Sequence, residues 1–399
     1  MIINSTVIPS IIFITGNFIY SLVAWMIFVF LPVYLKELAF TDYQIGILIG
    51  VFPFVSLLIQ LPFGYISDKC SPKRMLQCGI ILLAIYLFLL MRTTSFYGLL
   101  FSCIIGGSGS SIFLITIYSL YYRSLNDNHR GKKIGSFLFG SYGGFALGPF
   151  LAGIIQKYYS MQTVFFTGFV LMLFLFLLFF LITDVGPVRF VFSEYRKDLQ
   201  KKGVLLLICV FMLIGVHFGA ERVAYTLFLN KNLGLSKIKI GQVYLVIGVF
   251  LGIFTMICGY VFDKRKETLR LLSFGLLISG FFHVVTVFSK NFSQIILIRL
   301  LHTSGDAFMI LATNVLVANY FPNRRMGGNY GLVRTIQTVG IFSGAFFCGY
   351  LCQLFGYESA FYFSGVLLIV GALYVFTKRH MFSGMIEKET IVDALHMED

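Results

Sequence analysis

Charge is scarce in this chain. Asp, Glu, Lys and Arg supply 12% of its 399 residues, against roughly 25% in a soluble domain of ordinary composition. So low a share sets the chain apart from a soluble domain of its size. Long polar connectors are missing as well: 184–203 (DVGPVRFVFSEYRKDLQKKG) is the only sizeable one. No Walker phosphate loop is present, so ATP is not the energy source, and there is no dinucleotide fingerprint or soluble catalytic constellation. Seven Cys are scattered without metal-ligand spacing. They lie mostly in apolar segments and read as reduced interior thiols. The N-terminus has no basic region with a small-residue cleavage site, so the first apolar run reads as a retained helix rather than a signal peptide.

What fills the chain instead is apolar. Hydrophobic residues make up 58%, and mean hydropathy is +0.88. Runs of about 18–25 apolar residues, each long enough to cross the hydrocarbon of a bilayer, recur along the whole length. Only helices suit such runs, because in lipid every backbone polar group must be satisfied within its own segment. Forty-six Phe fit lipid-facing bulk and 39 Gly fit close helix contacts. Twelve spans are predicted, at 9–35, 43–67, 75–92, 95–122, 134–157, 161–183, 204–229, 240–262, 270–289, 293–320, 331–355 and 359–377. The expected fold is all-α and multi-pass, with the lipid bilayer as its surroundings. The net charge of +14 is no sign of a nucleic-acid partner, because it sits in short loops and orients the protein. With both termini placed in the cytoplasm, inner loops and tail hold 21 of the 31 Lys and Arg, and outer loops hold seven. Cytoplasmic loops carry just such an excess. After Phe376 the chain turns polar and reads as a mobile tail.

The pattern occurs twice. Gly64-Tyr65-x-x-Asp68-Lys69 recurs as Gly259-Tyr260-x-x-Asp263-Lys264, 195 residues later, and Gly46 and Gly241 are related by the same shift. Gly135, Gly144 and Gly148 recur at 331, 340 and 344, a shift of 196. Such an offset, held over roughly a hundred residues, means two copies of one folding unit. The organisation is therefore a six-helix bundle over 1–183, a cytoplasmic linker over 184–203, a second six-helix bundle over 204–377 and a cytoplasmic tail over 378–399. Duplicated membrane bundles usually carry solutes.

Two motifs sharpen this. Between spans two and three lies Gly64-Tyr-Ile-Ser-Asp68-Lys69-Cys-Ser-Pro-Lys73-Arg74, and in span five lies Gly135-x8-Gly144-x3-Gly148-Pro149-x2-Ala152-Gly153. A glycine series along one helix lets a neighbouring backbone approach, and Pro149 removes a backbone donor and can kink the helix. The second copy keeps the glycines but has Ala345 where the first has Pro149. With twelve spans, a basic central loop and the repeat, the chain resembles a major facilitator superfamily transporter over nearly its whole length, of the drug/proton antiporter kind. The first motif is similar to the family's G-x-L-a-D-r-x-G-r-k signature, from which Ser71 and Pro72 depart. The second matches its antiporter motif, with Ala152 replacing one Gly. The resemblance implies alternating access between two bundles, with spans one, four, seven and ten lining the central cavity. It implies that span five contributes to the domain interface, and its motif is associated with exporters. It also implies a conformational latch of Gly64, Asp68, Lys73, Arg74 and the repeat's Asp263, since the family's counterpart of Asp68 meets the start of the eleventh helix when the cytoplasmic side closes. A carboxylate beside a helix N-terminus is favoured by about 0.3–1 kcal/mol.

Ionisable residues inside spans are costly, by roughly 2.5–3.5 kcal/mol each on insertion scales, and are read as functional first. The first half has none deep within its spans. The second has His217, Glu221 and Arg222 in span seven and Arg299, His302 and Asp306 in span ten. His217 and Glu221 are four apart, as are His302 and Asp306, so each pair shares a helix face. At about 1.5 Å per residue, Glu221 lies roughly 25 Å from the inner boundary and Arg299 roughly 9 Å from the outer one. In about 30 Å of hydrocarbon these depths overlap, so Glu221 can reach Arg299. Glu221, Asp306, His302 and His217 are the expected proton-coupling groups, with Arg299 and Arg222 compensating charge or binding an anion. His283, alone in span nine, reads as structural. Asn17, Tyr20 and Trp25 in span one and Tyr118 in span four are candidate cavity residues for a substrate.

The expectation is a secondary active transporter, not an enzyme. It moves a small, amphipathic solute by proton-coupled efflux, without cofactor or metal, driven by a proton or other ion gradient. It is expected to act as a monomer in a bacterial cytoplasmic membrane. The alternatives are a proton-linked importer of a sugar, peptide fragment or organic anion, and a lipid or lipid-linked glycan flippase or membrane sensor.

Overall fold

The computed structural model describes residues 7–67, 71–124, 130–182, 202–265, 267–320 and 326–395. Among them stand twelve long helices and no strand. In chain order they are α1 (Val7–Glu37), α2 (Asp42–Ser67), α3 (Pro72–Arg92), α4 (Phe96–Ser124), α5 (Arg130–Tyr158), α6 (Met161–Leu178), α7 (Lys202–Leu227), α8 (Lys237–Arg265), α9 (Thr268–Val285), α10 (Phe292–Tyr320), α11 (Met326–Phe355) and α12 (Glu358–Leu395). All twelve contain a stretch long and apolar enough to cross a membrane. Large side chains turned outward, such as Phe139 at 75% and Leu177 at 65% exposed, give the surface the apolar character that lipid demands. Helix α12 continues to Leu395, so the segment read as a mobile polar tail is helical up to that residue.

Local sequence marks the helix ends. Before α2, Thr41 Oγ1 accepts from the Gln44 amide while the Gln44 side chain accepts from the Thr41 amide, a reciprocal capping box. Ser71 caps α3 at the Arg74 amide, with Pro72 in the first turn. Asn291 caps α10 at the Gln294 amide. Gly356, at φ +82°, closes α11 in a conformation that disfavours a side chain.

Contacts group the chain into two units, one of Met1–Phe190 with Tyr225–Val249, the other of Val191–Ala224 with Phe250–Asp399. In the first unit α5 lies on α1. A Cβ on Gly144 would come within 2.5 Å of Ser21, and one on Gly148 within 2.5 Å of the Leu22 carbonyl. Further along, Gly153 meets the backbone of Lys237 and Ile238 in α8, and Gly241 meets Pro149 and Phe150 in return. Gly135 lies in α5 by its backbone, but its surroundings fall outside the described side chains.

The second unit repeats the device. Gly340 and Gly344 of α11 press on Met212, Gly215 and Val216 of α7. Its core joins Leu207 and Phe211 of α7 to Leu272 and Leu276 of α9, Met309 and Leu316 of α10 and Leu368 of α12.

Candidate functional site

Three helices of the second unit bring its ionisable groups together. On α7, Gly215 and Gly219 face α11. His217 and Glu221, each two residues further on, lie about 200° round the helix and so face the other way. There they meet the α9–α10 hairpin. That hairpin is drawn tight by Gly275 against the Met309 amide and Gly305 against the Gly275 carbonyl, at 2.8 and 2.7 Å from an added Cβ. This register sets Ser279 opposite His302 and leaves His283 one turn nearer the α9–α10 connection.

The resulting cluster is dense. Arg299 Nη2 donates to Glu221 Oε1 at 2.6 Å. His302 Nε2 lies 3.3 Å from that same oxygen and 3.1 Å from Asp306 Oδ2. His217 Nε2 stands 3.9 Å from Asp306 Oδ1, and His283 Nδ1 stands 3.7 Å from Glu221 Oε1. Ser279 contributes twice: its hydroxyl donates to Asp306 Oδ1 at 2.7 Å, and its carbonyl accepts from His302 Nδ1 at 2.9 Å. The three imidazoles are fully buried, and Arg299 and Asp306 nearly so. Among the described residues, every Asp, Arg and His buried this deeply belongs to this cluster.

Glu221 thus reaches Arg299, as the depth estimate allowed. His217, Glu221, His302 and Asp306 meet in one place. Arg222 is half-buried one residue beyond Glu221, about 100° further round α7. His283, read from sequence as a lone structural residue, is instead part of the cluster, its ring 4.4 Å from that of His217. Its spacing on α9 has no charged partner, so only the hairpin register reveals it.

The first unit holds the proposed cavity residues. Asn17 is buried and donates to the Phe137 carbonyl and Ser141 hydroxyl of α5. Tyr20 is buried against Ser110 and stacks on Phe113 of α4. Trp25 and Tyr118 remain half-buried, edge-on to Phe145 and Phe137 respectively. Of the latch residues, Asp68 lies outside the described residues, and for Gly64 and Asp263 only the helix backbone is described. Arg74 is exposed, and Lys73 donates to the Phe180 carbonyl at the end of the first unit's sixth span.

Known proteins resemble the chain throughout. The family profile of the Major Facilitator Superfamily matches residues 13–291 and 268–384. The chain is 23% identical over 355 residues to an uncharacterized MFS-type transporter of Methanocaldococcus jannaschii, covering 85% of this chain and 90% of that one. It is 24% identical over 363 residues to the quinolone resistance protein NorA of Staphylococcus aureus, covering 88% and 91%. Among solved structures, a bacterial homolog of the human lysosomal transporter Spinster, inward-facing and occupied, superimposes with a TM-score of 0.80 at 14% identity, covering 96% of this chain and 97% of that one. The nucleoside transporter NupG does so with a TM-score of 0.79 at 12% identity, covering 92% and 99%. At these identities the structural likeness establishes the fold.

Proposed function

Because the chain belongs to the major facilitator superfamily, we propose that it is a secondary active transporter that exports a small, amphipathic solute in exchange for protons. The carrying observation is His302 set between two carboxylates. Its Nδ1 faces a carbonyl, which only accepts, so Nδ1 holds a proton. With no proton on Nε2, a lone pair would face the oxygens of Glu221 and Asp306. One further proton shared by His302, Glu221 and Asp306 removes that repulsion. The trio is thus a place where a proton is held and passed, and a buried carboxylate relay of this kind marks proton pathways in transporters. Arg299 compensates the charge of Glu221, so that losing or gaining one proton leaves no large net charge in low dielectric.

Export is favoured by the likeness to NorA and by the α5 glycine series. Trp25 and Tyr118, half-buried on α1 and α4, are the aromatic surfaces offered to a solute; Asn17 and Tyr20 serve by holding α1 to α5 and α4. The chain works as a monomer with both termini in the cytoplasm of a bacterial cell, and the ion gradient is its energy source.

Inverted membrane vesicles acidified inside test the direction. A panel of ethidium, a quinolone and several sugars should show accumulation of the dye or the quinolone that collapses when the gradient is dissipated. Uptake of a sugar alone, or accumulation indifferent to the gradient, would refute proton-coupled export.

A further inference from the structure

Three of the chain's six His lie in one buried cluster. One donor atom each from His217, Glu221, His283 and His302 falls within 4.8 Å of all the others. We propose that these four residues form a binding site for a divalent late first-row transition-metal ion, Zn2+ being the type. The proposal goes beyond proton-coupled export and does not depend on it.

Geometry supports it first. Four donors about 2.0–2.1 Å from a tetrahedral zinc lie about 3.3 Å apart. The His302–Glu221 pair is at 3.3 Å and the His283–Glu221 pair at 3.7 Å. The widest separation, 4.8 Å, would have to close by about 1.5 Å to reach that spacing. The donors come from three different helices, α7, α9 and α10, and all lie within 4.8 Å of one another.

Unsatisfied nitrogens support it second. Among the described residues, neither ring nitrogen of His217 nor of His283 has a hydrogen-bond partner, although both side chains are fully buried. Each neutral ring carries one lone pair and one N–H. An ion among them takes up the lone pairs that nothing else engages.

The outer contacts support it third. A metal-bound histidine usually donates its other ring N–H to a carbonyl or carboxylate, which fixes its tautomer. His302 already does so, through Nδ1 to the Ser279 carbonyl at 2.9 Å, so Nε2 is the nitrogen turned toward Glu221. Arg299 remains bonded to the Glu221 carboxylate as an outer-sphere donor. With neutral imidazoles, Glu221 and Asp306 outweigh Arg299 by one negative charge, which favours a cation. Three imidazoles with one carboxylate suit Zn2+, Co2+ or Ni2+ and not the oxygen-seeking Mg2+ or Ca2+.

Purified full-length protein with its affinity tag removed, stripped with chelator in detergent, provides the test. After incubation with Zn2+ and gel filtration, metal analysis should find about one ion per chain, and Mg2+ should not compete. His217→Gln and His283→Gln should each weaken binding roughly tenfold or more, as disturbing a ligand set does. If a variant aggregates, Co2+ added to the wild-type protein decides. Intense visible bands of a tetrahedral, nitrogen-ligated centre support the site; weak octahedral bands overturn it. Retention of less than about a tenth of an ion per chain, or unchanged binding in both variants, also overturns it. No transport is measured, so this result stands apart from that of the vesicle assay.

Discussion

At the scale of single residues, the central contact is the Arg299–Glu221 pair at 2.6 Å. Removing one member of a buried ion pair leaves the other charge uncompensated, which costs about 3–5 kcal/mol, whereas removing both is often nearly neutral. Arg299→Met should therefore lower the thermal unfolding midpoint of the detergent-solubilised protein markedly, and Glu221→Gln combined with Arg299→Met should regain most of the loss. A double variant no more stable than the single would mean that the two side chains do not interact in the folded protein. The four-residue spacings His217–Glu221 and His302–Asp306 were legible in the sequence because a helix turns a fixed angle per residue. His283 and Ser279 were not. Their proximity to His302 depends on how α9 slides along α10, which contacts such as Gly275 with Gly305 decide. For Asn17 and Tyr20 the sequence showed polar groups within a span but not their partners, which lie on α5 and α4.

At the scale of elements, the glycine series does the positioning. A Cβ on Gly148 would sit 2.5 Å from the Leu22 carbonyl and 3.1 Å from the Met26 amide, both backbone atoms of α1. Gly148→Ala must push α5 off α1, at a cost of about 1–3 kcal/mol for overpacking. Gly252 of α8 has nothing within 4 Å of an added Cβ, so Gly252→Ala should be neutral or gain about 0.5–1 kcal/mol from the stiffer helix. Thermal unfolding of the two variants side by side checks this; equal effects would show that the α1–α5 approach does not need the glycine. The elements themselves were the most legible part. Hydrocarbon thickness and backbone satisfaction dictate length and helicity, and predicted spans such as 43–67 and 293–320 stand beside the helices Asp42–Ser67 and Phe292–Tyr320. The ends differed where a helix outlasts its apolar stretch, as α12 does beyond Arg379.

At the scale of the whole molecule, a duplicated plan carries unequal chemistry. Both units use glycines to seat one helix on another, Gly144 and Gly148 in the first and Gly340 and Gly344 in the second. Deeply buried Asp, Arg and His side chains, among the described residues, occur in the second alone. In the proposed mechanism proton coupling falls to Glu221, His302 and Asp306, and solute contact to the aromatic surfaces of Trp25 and Tyr118 in the first unit. Ethidium flux in proteoliposomes under an imposed pH gradient measures that assignment. Wild-type protein should accumulate the dye against its gradient. Asp306→Asn, reconstituted to the same level, should still exchange dye down a concentration difference but fail to accumulate it. Accumulation by Asp306→Asn at the wild-type rate would contradict the account.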